Sequence, residues 1–370
     1  MKIHPWILSY FLNKTKSTFL FKNPGQKHIF LSICDHFEPL WENASQQIGL
    51  KRVKTWYEQY PAVADKYHDS EGCLPKYTFF YPIEEYRPHF LELLADLCNR
   101  RYAETEVHLH HDNDTADNLR KTLLDFKSLL SGKYSLLAKD KNTGEIRYGF
   151  IHGNWALDNS RPDGRWCGVN NELEILQETG CYADFTMPSA PDTTQTTKIN
   201  SIYYAIDNPN KSKSHNEGID AQEKTKSPKG LLMIQGPLQL NFRNRKWGIL
   251  PRIENGFIGS NCQINKDRIK LWLANPIRLQ DAPEYIFIKL YTHGCQEDNY
   301  NYLLNGGLDK LFSLFLEHYN DGNNYLTHFV TAREMVNVVK AVEDGLVGSI
   351  TQMKDYRFKL VKEHGIAYEH

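Results

Sequence analysis

Several features that would assign this chain quickly are missing from it. No apolar stretch is long enough to span a bilayer. The run from Pro5 to Leu12 is too short, and no small-residue cleavage site precedes Lys14. The seven cysteines (Cys34, Cys73, Cys98, Cys167, Cys181, Cys262 and Cys295) are scattered, odd in number and lack C-x-x-C spacing. That excludes a disulfide framework and a zinc knuckle, and it reads as reduced thiols. Neither sign of charge dominates, with 44 Lys and Arg against 45 Asp and Glu, so there is no broad electrostatic footprint for nucleic acid. No internal repeat is present. With no export signal, no membrane span and no nucleic-acid partner, the expected location is the cytoplasm.

What is present is a globular composition, 41% hydrophobic and 24% charged over 370 residues, enough for one large α/β domain. Aromatic residues are abundant, with 21 Tyr, 18 Phe and 7 Trp. Such a surplus either lines a sugar-binding cleft or decorates a Tyr-rich surface.

Strand-like and helix-like segments alternate along the chain. His28 to Cys34 is a short apolar run ending at Asp35, as a buried parallel strand does. Ser45 to Tyr60 has helical spacing and is expected to stop at Pro61. Tyr77 to Tyr81, Thr105 to His110, Tyr148 to Trp155, Tyr182 to Met187 and Glu284 to Thr292 read as further strands. Helical patterns follow at Glu84 to Arg100, Thr115 to Leu130, Asn171 to Glu178 (closed by Gly180) and Leu308 to His318. Thr331 to Asp344 reads as an amphipathic helix with Met335, Val338, Val339 and Val342 on one face. The order predicts parallel βαβ units, in a barrel or in an open doubly wound sheet. Residues 1–26 form an N-terminal segment, 27–345 a single domain with a mobile polar loop at 207–229, and 346–370 a charged tail.

In parallel α/β folds, chemistry gathers at the carboxyl ends of strands. The first strand ends in Asp35-His36-Phe37-Glu38, the third in His108-Leu109-His110-His111 with Asp114 beyond, the fourth in His152-Gly153-Asn154-Trp155, and the late one in Tyr291-Thr292-His293. His108 and His110 are two apart and share a face. Imidazole with carboxylate is the donor set of a zinc or iron site. Asp114 also suits the N-cap of the helix starting at Thr115, and Asp35 suits a strand-end turn.

This order of motifs resembles the NodB-like polysaccharide deacetylases. Ile33-Cys34-Asp35-His36 stands where the family has Thr-Phe-Asp-Asp, and Glu106-Val107-His108-Leu109-His110, with Asp114 four residues on, follows the family's Glu-Ile-Gly-x-His. Arg161-Pro162-Asp163-Gly164 echoes its Arg-Pro-x-x-Gly, Leu173 to Tyr182 its following helix, and Leu290-Tyr291-Thr292-His293 its final Leu-x-His. The resemblance spans Lys27 to Glu297 with no motif intact. It implies a distorted (β/α) barrel of about seven parallel strands around one divalent metal, zinc first, with iron, cobalt or nickel also suited. The implied ligands are His36, His110 and Asp114. Asp35 is the implied base, His293 the acid and Arg161 a further catalytic group; Asn154, Trp155 and Tyr291 would contact substrate. The implied activity is removal of acetyl groups from a sugar or glycan precursor. A glycoside hydrolase using two carboxylates (Asp35 with Glu38 or Asp158) and an inactive glycan-binding barrel are the alternatives.

Overall fold

A computed structural model describes residues 5–12, 25–346 and 348–361. The chain is a mixed α/β protein built on a large, mostly parallel sheet. Seven strands run parallel in one path: β7 (Ala282–Thr292), β1 (Lys27–His36), β2 (Tyr77–Pro82), β3 (Ala103–Leu109), β4 (Ile146–His152), β5 (Cys181–Asp184) and β6 (Leu231–Ile234). An eighth, β8 (Tyr325–Phe329), lies parallel to the first half of β1, from Lys27 to Leu31, while β2 pairs with its last residues. A strand has two edges and β7 occupies one, so β8 and β2 share the other. The two ends of the path, β6 and β7, form no ladder. Lys289 of β7 instead reaches the segment just beyond β5, its buried ammonium donating to the carbonyls of Phe185 (2.5 Å) and Met187 (2.7 Å).

Side-chain parity divides the sheet into two faces. Ile29, Leu31 and Ile33 of β1 and Val107 and Leu109 of β3 pack against helices α1 (Gln46–Ala64), α2 (Pro88–Asn99) and α3 (Ala116–Tyr134). Phe30 and Cys34 point the other way, with Phe80, Ile151, Phe185, Ile234 and Phe287. Alternation along a strand therefore sends Asp35 to the helical face and His36 to the opposite one.

That opposite face is covered by α6 (Ala332–Glu343), the helix expected to be amphipathic. All 12 of its residues are buried. Its polar side is not solvated because each charge meets a partner. Arg333 forks onto Glu104 at 3.0 and 2.8 Å, Lys76 pairs with Glu334, and Lys340 reaches Tyr204 and Glu343. The Asn337 amide holds the backbone of the chain's end, donating to Lys354 O and Phe358 O and accepting from the Phe358 amide. Residues 348–361 are thereby drawn into the fold, with a short strand, Phe358–Leu360, pairing with Ala138–Asp140. Residues 362–370 lie outside the described residues.

Other local expectations shift by small amounts. Pro61 sits inside the last turn of α1, where its missing N–H removes a single helical bond, and the helix runs on to Ala64. Gly180 closes α4 (Glu172–Thr179) with φ 104°, the left-handed cap expected of it. The polar stretch 207–229 is pinned. Ser214 N donates to Asp158 Oδ2 (2.6 Å), and Lys213 Nζ donates to the carbonyls of Thr193 and Gln195. At the N-terminus, Trp6 and Tyr10 pack on Ala190, Ile199, Leu238 and Leu240. Among the described residues no helix is long and apolar enough to cross a membrane.

Candidate metal centre

The register of the sheet decides which strand ends meet. Asp35 lies level with Thr292 of β7 and with Phe79 of β2, Pro82 with His108, and His108 with Ile151. The carboxyl ends of β7, β1, β3 and β4 therefore open at one edge. There the buried Glu38, two residues beyond β1, stands among imidazoles. Its Oε1 lies 3.3 Å from His108 Nε2 and 3.1 Å from His110 Nε2, and its Oε2 lies 3.5 Å from His293 Nδ1. His36 completes the group, its ring 4.8 Å from that of His293 and 5.2 Å from that of His108.

The remaining ring nitrogens fix the tautomers. His108 Nδ1 faces the carbonyl of Ile151 at 2.8 Å, and a carbonyl only accepts, so Nδ1 carries hydrogen. His110 Nδ1 meets Glu84 Oε1 at 2.5 Å, with the same consequence. In the neutral rings both Nε2 lone pairs then point at the Glu38 carboxylate. Acceptors facing acceptors at these distances require a cation between them, either a proton or a metal ion. Gly153 permits the arrangement, since a Cβ there would overlap the His110 ring.

Electrostatics agree with the geometry. Burial works against the Glu38 carboxylate, but the neighbouring imidazoles of His108, His110 and His293 hold it well below its ordinary value. Burial would also depress His110, yet the carboxylates of Glu38 and Glu84 lift it to about 10. His36 is pushed well below its usual range, first by burial and then by its neighbouring histidines, and stays neutral. Three buried polar atoms at this edge have no hydrogen-bond partner: Glu38 Oε2, His293 Nδ1 and Trp155 Nε1. Aromatic rings wall the edge. Trp155 lies 6.1 Å from His293 and 6.3 Å from His36, Tyr291 5.9 Å from His36, and Phe257 and Trp41 6.2 and 6.4 Å from His293. Trp155 holds a left-handed backbone, φ 55°, which is uncommon for a bulky residue. A wide groove elsewhere, between the hairpin Gln239–Lys246 and Leu250–Glu254 and helix α5 (Lys266–Ala274), contains none of these side chains.

Of the residues singled out in the sequence, the structure gathers His36, Glu38, His108, His110, His293, Trp155 and Tyr291 here; Glu38 and His108 stand outside the ligand set that the motif order implied. Asn154 is next to Trp155 in the same left-handed turn, φ 52°. Asp35 is on the other face. Its carboxylate accepts from Gly294 N (2.6 Å) and the Tyr77 hydroxyl (3.1 Å), and burial raises its pKa well above the usual range. Arg161 forks onto Asp163 and stacks over Trp166. Asp114 neither joins His110 nor caps the helix. Thr115 is the N-cap of α3, and Asp114 accepts from Thr115 N, Asn118 Nδ2 and His111 Nδ1. The neighbours of His111 form a second cluster with His152, Cys167 and Glu172.

No family model matches the chain, and no curated protein matches it. Among solved structures, a GH57 branching enzyme from the hyperthermophilic archaeon Thermococcus kodakaraensis, crystallised with glucose and additives, aligns over 81% of this chain and 72% of that one. The identity is 9% and the TM-score 0.38. A likeness so slight decides neither family nor activity. The resemblance to polysaccharide deacetylases therefore rests on motif order alone.

Proposed function

We propose that the chain is a metal-dependent hydrolase that removes an acyl group from a carbohydrate, on a parallel sheet curled into a distorted (β/α) barrel. Glu38, His108 and His110 would hold the ion. One observation carries this reading: two imidazoles, each held at Nδ1 by an outer acceptor, direct Nε2 at one buried carboxylate, so that a metal ion can take the place of the proton between them. This set differs from the one implied by motif order, since Glu38 and His108 take the places given to His36 and Asp114. Imidazole with carboxylate suits zinc, and iron, cobalt or nickel as well.

A divalent ion supplies a nucleophile from water at neutral pH and polarises an acyl carbonyl. The chain's own groups do the rest. His36, kept neutral by burial, accepts a proton at the imidazole, a role that Asp35, bound on the opposite face, does not reach. His293 Nδ1 delivers a proton to the leaving group from the far side of Glu38. Asp35 acts through Gly294, bracing the turn that carries His293. Trp155, Tyr291 and Phe257 offer ring faces to a sugar, with Trp155 Nε1 as a donor.

The test is acetate release from a panel of acetylated sugars by the full chain before and after chelation. Release that stops on chelation and returns with zinc supports the proposal, and Glu38→Gln should not recover with zinc. Hydrolysis that persists after exhaustive chelation contradicts it and favours glycosidic chemistry on carboxylates alone.

A further inference from the structure

The second cluster lies just behind the first, because His110 and His111 are adjacent in the chain and point to different groups. His111 follows β3, His152 ends β4, Cys167 comes from the loop before α4, and Glu172 opens that helix. The ligating atoms of all four fall within 4.8 Å of one another, and His152, Cys167 and Glu172 are fully buried.

The hydrogen bonds again leave lone pairs facing inward. His111 Nδ1 donates to Asp114 Oδ2 (3.0 Å), and His152 Nδ1 donates to the carbonyl of Gly153 (2.6 Å). Their Nε2 atoms lie 2.8 Å apart, with Glu172 Oε1 3.3 Å from the first and 3.5 Å from the second. The other Glu172 oxygen accepts from the Asp158 amide (2.6 Å). Cys167 Sγ donates to Glu172 Oε2 (3.4 Å) and receives the backbone amides of Asn159 (3.3 Å) and Val169 (3.4 Å); burial and Glu172 push the thiol up to about 11, so it becomes a thiolate donor only when a cation takes the place of its proton. Two imidazoles, a thiolate and a carboxylate, each oriented by an outer partner, form a closed four-donor set. Edges between donors in a tetrahedral zinc site with bonds of about 2.0–2.3 Å measure roughly 3.3–3.8 Å, close to most of these separations.

We infer that His111, His152, Cys167 and Glu172 form a second, structural zinc site, distinct from the hydrolytic centre. Its ion ties the loop between β4 and α4, which carries Trp155, to the ends of β3 and β4. The donor chemistry, nitrogen and sulfur with one oxygen, selects zinc or cobalt over magnesium or calcium.

Sulfur makes the site separately visible, since the Glu38 cluster contains none among the described residues. The experiment loads the metal-depleted full chain with cobalt(II) and records its absorption spectrum. A near-ultraviolet thiolate-to-cobalt charge-transfer band is expected. It should persist in the double variant Glu38→Gln/His108→Ala and vanish in Cys167→Ser, with zinc content of the latter falling by about one equivalent per chain. A wild-type spectrum without the band, or a band unchanged in Cys167→Ser, overturns the inference. Should Cys167→Ser fail to fold, the double variant still decides, because loss of the band there places the thiolate ligand's metal at the Glu38 centre and refutes a separate site. Failure of the hydrolysis assay leaves each of these readings intact.

Discussion

The Glu38 and His111 clusters draw on nearly the same side chains and differ in closure. Around His111, Glu172 uses both oxygens and Cys167 receives two amides; the cluster is sealed beneath a loop. Around Glu38, a carboxylate oxygen, an imidazole nitrogen and an indole N–H remain unpartnered beneath aromatic rings, of which Trp41, Trp155 and Phe257 are at least partly exposed. A filled donor set builds structure, whereas a set with spare donors and an apolar wall leaves room for a reacting molecule. Adjacent residues serve the two ends of this contrast: His110 is tuned by Glu84 and His111 by Asp114.

Substitutions can break that division. His293→Gln removes the proposed proton donor and should lower kcat by about 10²–10⁴-fold while leaving thermal stability nearly unchanged; equal losses in both would erase the contrast. Glu172→Gln should behave inversely. Breaking a buried charged cluster costs roughly 3–5 kcal/mol, read as a lowered denaturation midpoint. Glu84→Gln, which loosens the hold on His110 without removing a ligand, should reduce metal affinity or activity by about 10–100-fold. If Glu84→Gln outweighed His293→Gln, the carboxylate would be a direct participant.

Much of the fold was legible because buried parallel strands are apolar runs with polar terminators. The segments ending at Asp35, Tyr81, His110, Trp155 and Thr292 all appear as strands or strand ends. The least legible element was α6. Its sequence pattern implies a solvated polar face, and the structure answers that face with Glu104, Lys76, Tyr204 and the chain's own end, none of which periodicity can anticipate. At the site, parity carried real information. His108 and His110 share a face, and the same rule, applied to Asp35 and His36, separates them. Motif order paired Asp35 with His36 in function, whereas alternation along β1 sends Asp35 to Tyr77 and Gly294. Glu38 was visible as a strand-end carboxylate, but its convergence on three imidazoles depends on the register among β1, β3 and β7. Cys167 and Glu172 carried no local signal, since they meet His111 and His152 through a long irregular loop.

The most direct test of the hydrolytic centre is crystallographic. Crystals of the zinc-loaded protein, measured at the zinc edge, should show an anomalous peak bonded to Glu38 and to Nε2 of His108 and His110 at about 2.0–2.2 Å. A peak shared by His36, His110 and Asp114, or none beside Glu38 at full zinc loading, would contradict the account.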